Sequence, residues 1–76
     1  MQETSDIGFA AALHCQDIKP ISLNEENPNR ILFQYKMDKD RFKALENEYF
    51  GGALSVSAQE YYGALKTLKS RIYASR

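Results

Sequence analysis

Apolar and polar side chains alternate through residues 30–37, which puts Ile31, Phe33, Tyr35 and Met37 on one side of an extended chain rich in β-branched and aromatic types. That pattern predicts a strand. Residues 18–23 alternate as well, and Pro20 restricts them to an edge strand or a strand start. Between the two, residues 24–29 are turn formers, so the pair reads as an antiparallel β-hairpin.

The other apolar spacings are helical. Thr4, Ser5 and Asp6 are helix-capping types, and Ile7, Phe9, Ala10, Ala11 and Leu13 follow them, which predicts a short helix over residues 6–15 with His14 and Cys15 in its last turn. Asp38, Lys39 and Asp40 open a second helix whose apolar residues Phe42, Leu45 and Tyr49 share one side, and Gly51-Gly52 ends it. Ser57 and Glu60 form a capping box at the start of a third helix reaching about residue 73, with Ala58, Tyr61, Leu65, Leu68 and Ile72 as its expected buried stripe. The expected architecture is a single α+β domain over residues 1–76, in the order helix, two-stranded hairpin, helix, helix. Two strands alone are marginal in water, so either the helices cover one face closely or dimerisation extends the sheet, and a homodimer is the expectation.

A chain of 76 residues has too few apolar side chains for two cores. The single cysteine, Cys15, has no partner for an intramolecular disulfide, and no apolar run approaches the length of a membrane span, so a cytoplasmic setting is expected. Ten basic and ten acidic residues cancel, yet residues 1–57 carry a net −3 and residues 58–76 a net +3. The last helix is the basic element.

Several pieces taken together carry a resemblance: Thr4-Ser5-Asp6 before an alanine-rich helix, Phe33-Gln34-Tyr35 closing the hairpin, Glu48-Tyr49-Phe50-Gly51-Gly52, and residues 56–61 followed by Ala64-Leu65, Leu68-Lys69 and Ile72-Tyr73. They resemble a family of short proteins of unknown function from phages, proviruses and other mobile elements. The resemblance spans nearly the whole chain and implies a scaffold and a mobile-element origin. It brings no catalytic residues with it.

Reactive groups are sparse. Catalysis by Cys15 needs an oriented base, but His14 is its chain neighbour and points about 100° away on a helix. One histidine and one cysteine do not make a zinc site. Asp38, Asp40, Glu46 and Glu48 alternate with Lys39, Arg41 and Lys43, which reads as capping and an ion-paired, solvated face rather than a magnesium site. No enzyme activity and no cofactor are expected, and convergence of His14, Cys15 and two carboxylates in one enclosed cleft is the arrangement that would overturn this.

Function must then come from surfaces. On the last helix Tyr62, Lys66, Lys69 and Tyr73 fall within an arc of about 60°, two cations between two rings, with Arg76 beyond them. Such a stripe suits a phosphate backbone and stacked bases, although tyrosines at the edge of a buried face with solvated lysines look the same. A secondary candidate is the outward strand face of Arg30, Gln34 and Lys36, on the pattern of β-ribbon DNA readers, with Leu32 interrupting it and the far strand edge needed for a dimer mate. The favoured expectation is a small accessory protein of a phage or mobile element that binds nucleic acid, DNA or RNA, through its basic C-terminal helix. The alternative is an inhibitor or adaptor of a host protein, anchored by aromatics such as Phe50, Tyr61 or Tyr62.

Overall fold

A computed structural model describes residues 1–27 and 29–74. The fold is α+β, with elements β1 (Gln2–Thr4), α1 (Ile7–Cys15), β2 (Ser22–Asn27), β3 (Arg30–Tyr35), α2 (Lys39–Phe50) and α3 (Ala58–Ala74). The hairpin and all three helices stand in the expected order, with one added strand: the sheet is antiparallel in the order β1-β3-β2. A polar, three-residue strand has no hydrophobic period to announce it. Its last residue nevertheless explains the pairing, because Thr4 lies opposite Phe33, is buried, and accepts a hydrogen bond from the Asp6 amide at 3.2 Å.

With β1 on one edge of β3 and β2 on the other, no edge of β3 remains for a second copy. A third strand and a helical cover also supply in one chain the support for which the sequence suggested a dimer. Residues 18–23 were expected to pair and 24–29 to turn; instead β2 begins at Ser22 and runs to Asn27, with an irregular register between Asn24 and Asn27. Leu23 sets this frame by lying opposite Phe33 on the core side. The turn chemistry persists locally, as Asn24 and Asn27 side chains accept from the Glu26 and Asn29 amides at 3.0 Å each. On the outer face Gln34 joins all three strands in register: the Ser22 hydroxyl donates to its Oε1 at 2.6 Å, and its Nε2 donates to Glu3 at 3.3 Å.

The core centres on α1. Phe9, Ala10, Ala11, Ala12 and Leu13 are all buried, so this helix has no solvated face through its middle. Asp6 caps its start by accepting from the Phe9 amide at 3.0 Å. At its end the Ile18 amide reaches Leu13 O at 2.9 Å and the Asp17 amide reaches His14 O at 3.0 Å, with Asp17 at φ 63°. This is a Schellman cap with an aspartate in the left-handed position. The same motif ends α2, where Gly52 has φ 77° and the Ala53 amide bonds Glu48 O at 2.8 Å.

Phe9 is the hub of an aromatic cluster, 5.4 Å from Phe42, 5.5 Å from Tyr49 and 6.3 Å from Phe50, with Tyr35 5.7 Å from Phe42. On α3 the buried stripe is Tyr61, Ala64, Leu65, Leu68 and Ile72; Ala58, expected inside, is exposed, and Ala64 takes the central place against α1. An alanine there lets two helices approach closely. Gly8 serves the same end, since a Cβ on it would strike the Tyr49 hydroxyl, while the Tyr61 hydroxyl donates to Gly8 O at 3.1 Å. The ion-paired face expected on α2 does not form: between described residues the salt bridge present is Lys19–Asp17 at 3.9 Å, and Asp38 instead caps α2 through the Arg41 amide at 3.2 Å.

Two stability effects follow from these contacts. Because an L-residue is strained at positive φ, Asp17→Gly is expected to raise unfolding stability by about 0.5 to 1 kcal/mol in urea titrations, net of the extra chain entropy of glycine. A lower urea midpoint would show that the side chain, and not the cap, holds the turn. The Tyr35 hydroxyl is buried with no hydrogen-bond partner among the described residues, and burial pushes this phenol up to about 12 against a weak opposing pull from Arg71. The folded state thus favours the neutral phenol: its contribution is complete below pH 10 and is lost as pH rises toward about 12. Tyr35→Phe is expected to stabilise by about 1 kcal/mol at neutral pH and to flatten that alkaline loss, which denaturant midpoints across the range would check.

Candidate functional site

α3 is the element that carries both candidate surfaces, because only one of its sides is used by the core. Ser57 caps it by accepting from the Glu60 amide at 3.4 Å. Going round the helix at about 100° per residue, the buried stripe separates two flanks whose centres lie about 140° apart.

The first flank is the stripe expected from sequence. Tyr62, Lys66, Lys69 and Tyr73 all face solvent, and the two rings are 64% and 70% exposed. Lys66 Nζ sits 5.3 Å from the centre of the Tyr62 ring, a cation–π contact that orders one end of the stripe. Arg76 lies outside the described residues. The secondary candidate does not come together in the same way. Arg30 and Lys36 are exposed, but Gln34 is committed to Ser22 and Glu3, and β3 is the central strand, so a paired ribbon of two β3 strands has no edge to form through. Of the aromatic anchors weighed, Phe50 is 62% exposed, whereas Tyr61 is half-buried with its hydroxyl given to Gly8.

The second flank carries no signature in the sequence. Glu60, Gly63, Ala64 and Thr67 of α3 face His14, Cys15, Asp17 and Lys19 from the end of α1 and the loop after it, around a groove of about 460 Å³. His14, Cys15 and two carboxylates do converge here. The groove is open, however, with the Asp17 and Lys19 side chains at its rim 93% and 62% exposed. Partial burial, and after it the charge of Glu60, pushes the Cys15 thiol up from its ordinary value, the opposite of what a nucleophile needs. The His14 Nδ1 is sealed from solvent and has no hydrogen-bond partner among the described residues, so the imidazole does not orient the thiol through that nitrogen. Among the described residues no group of three or more histidine, cysteine, aspartate or glutamate side chains is placed to hold a metal ion. No described helix is long and apolar enough to cross a membrane. Sequence spacing could not reveal the groove, because it depends on α3 packing beside the end of α1, with Ala64 buried in the core that the two helices share.

The family model of a domain of unknown function, DUF5659, matches residues 2–74. The chain belongs to the DUF5659 family. No curated protein and no solved structure matches it. The match takes in β1 through α3, so both flanks of α3 lie within the DUF5659 domain. In this DUF5659 chain the field of Glu60 at the thiol can be tested directly. Glu60→Gln is expected to make Cys15 react faster with an aromatic disulfide reagent at mildly alkaline pH, since a larger thiolate fraction forms. Equal rates, in variants of unchanged circular dichroism, would show that the carboxylate does not act on the thiol.

Proposed function

We propose that this DUF5659 chain is a small non-enzymatic accessory protein of a phage or mobile element that binds nucleic acid in the cytoplasm through the solvent-facing flank of α3. The observation that carries the reading is the exposure of the whole stripe: Tyr62, Lys66, Lys69 and Tyr73 serve no part of the core, and the rings at either end stand open to stacking. Two lysines between two rings suit a phosphate backbone whose bases reach the tyrosines. The zero net charge of the chain means that attraction comes from this local patch and is of short range. Association of two copies would place two stripes in one assembly and raise avidity without a new contact. The raised thiol of Cys15 supports action by binding rather than by covalent chemistry.

A second reading, an inhibitor or adaptor of a host protein with no nucleic-acid contact, draws on exposed Phe50 and on the groove of the opposite flank. Retention of a protein partner after nuclease treatment in a pull-down from the source cell would favour it. The first reading is tested by Lys66→Ala/Lys69→Ala. The double variant is expected to bind oligonucleotides more weakly, with a log–log salt slope smaller by about one unit for each phosphate that the missing lysines no longer neutralise, measured by fluorescence anisotropy over a salt series. Affinity and slope equal to those of the parent would end the nucleic-acid reading.

A further inference from the structure

The cations of the solvent-facing flank of α3 run in single file. Tyr62, Lys66, Lys69 and Tyr73 lie within about 60° of one another round the helix, with the two rings about 16 Å apart along its axis and a lysine about 6 Å inside each. On either side of the file stand Ala58, Gln59 and Ser70, exposed and uncharged. The helix has a single carboxylate in its sequence, Glu60, which lies about 150° round from the file, and its remaining described cation, Arg71, lies about 170° round. Neither lysine forms an ion pair among the described residues, so both charges are open to an anion.

We propose that this file receives one unpaired strand of nucleic acid, about five nucleotides at a time, which rests on the nucleic-acid reading of this flank and narrows it. A duplex presents two backbones with base edges in the groove between them, so a helix that docks there needs cations along both of its sides and base-reading groups down the middle. α3 has the reverse arrangement, with its cations in the middle and uncharged residues beside them. One row of charge follows one backbone. The rings point the same way, because the faces of paired bases are covered by their neighbours, whereas an unpaired strand can turn bases onto the exposed Tyr62 and Tyr73. The Lys66 ammonium, 5.3 Å from the centre of the Tyr62 ring, brings a charge beside that ring, where the phosphate of a stacked nucleotide would lie. At the rise of a stacked strand, about 3.4 Å per nucleotide, the distance between the rings spans about five nucleotides, and fewer when the strand is extended.

The full chain is titrated at low salt, with fluorescence anisotropy as the readout, into labelled oligo(dT) and oligo(U) from about three to about ten nucleotides long and into a mixed-sequence duplex of about 20 base pairs. The single strands are expected to bind about tenfold more tightly than the duplex, with affinity rising steeply up to about five nucleotides and slowly beyond. Binding of either oligomer supports the proposal, and the tighter of the two names the sugar. Tyr62→Ala and Tyr73→Ala should each weaken single-strand binding about fivefold or more and leave the duplex titration unchanged. Tyr62→Phe and Tyr73→Phe keep the ring and should bind like the parent. Both positions are exposed, so thermal midpoints equal to the parent's are expected and separate loss of binding from loss of fold. A duplex that binds as tightly as the single strands, or alanine variants that bind the single strands like the parent, would overturn the inference and leave a nucleic-acid surface at the lysines in place. Binding to none of these probes would end the broader reading and this one with it.

Discussion

A nine-residue helix with no polar side through its middle has to be enclosed, and the rest of this fold is the enclosure. Alone, α1 is too short to persist in water. It is helical here because both ends are capped, by Asp6 and by the turn at Asp17, and because burial of Phe9, Leu13 and the three alanines holds it in place. The alanines matter through their size. Ala10 and Ala11 on one helix and Ala64 on the other belong to one buried cluster, in which small residues permit close helix contact, and the larger Phe9 is directed to the aromatic rings of α2 and, through Phe42, to Tyr35 of the sheet.

Enclosure determines which surfaces are left over. The sheet spends its inner face on Phe33 and Tyr35 and ties its outer face together through Gln34, so it offers a polar, self-satisfied exterior. Its free edges are β1, three residues long, and β2, which carries Glu25 and Glu26. A short edge and a charged one are both poor templates for pairing with another chain. α3 differs from both. Packing on α1 along one stripe, it leaves two flanks free, one with cations and rings, the other with an open groove against the end of α1.

The helices and the central strand were legible because their signals are periodic and repeated: three apolar residues a turn apart in α2, four alternating ones in β3, capping types before each helix. What could not be read depended on contacts distant in sequence. β1 has no pattern, only Thr4 meeting Phe33 across twenty-nine positions of chain. The shift of β2 toward the turn reflects Leu23 finding Phe33, which outweighs the turn preference of the asparagines that follow. Ala58 and Ala64 are the same residue type on the same helix, and only the direction of approach of α1 decides that the second is buried. The stripe of Tyr62, Lys66, Lys69 and Tyr73 was legible as exposed because helix geometry alone places it opposite the apolar residues.

The polar cluster at the other end of α1 shows why the fold tolerates so little change there. Gly8 lets Tyr61 and Tyr49 come down on the helix; Tyr61 donates to Gly8 O at 3.1 Å, and the two hydroxyls lie 3.5 Å apart. That contact with Tyr61, and after it burial, pushes the Tyr49 phenol up to about 12. Tyr49 comes from α2 and Tyr61 from α3, so one glycine carbonyl is where both C-terminal helices are registered against α1. Because α3 is seated at that point, the direction of its two free flanks is set there too, about three helical turns from Tyr73 and one turn or less from Glu60 and Gly63.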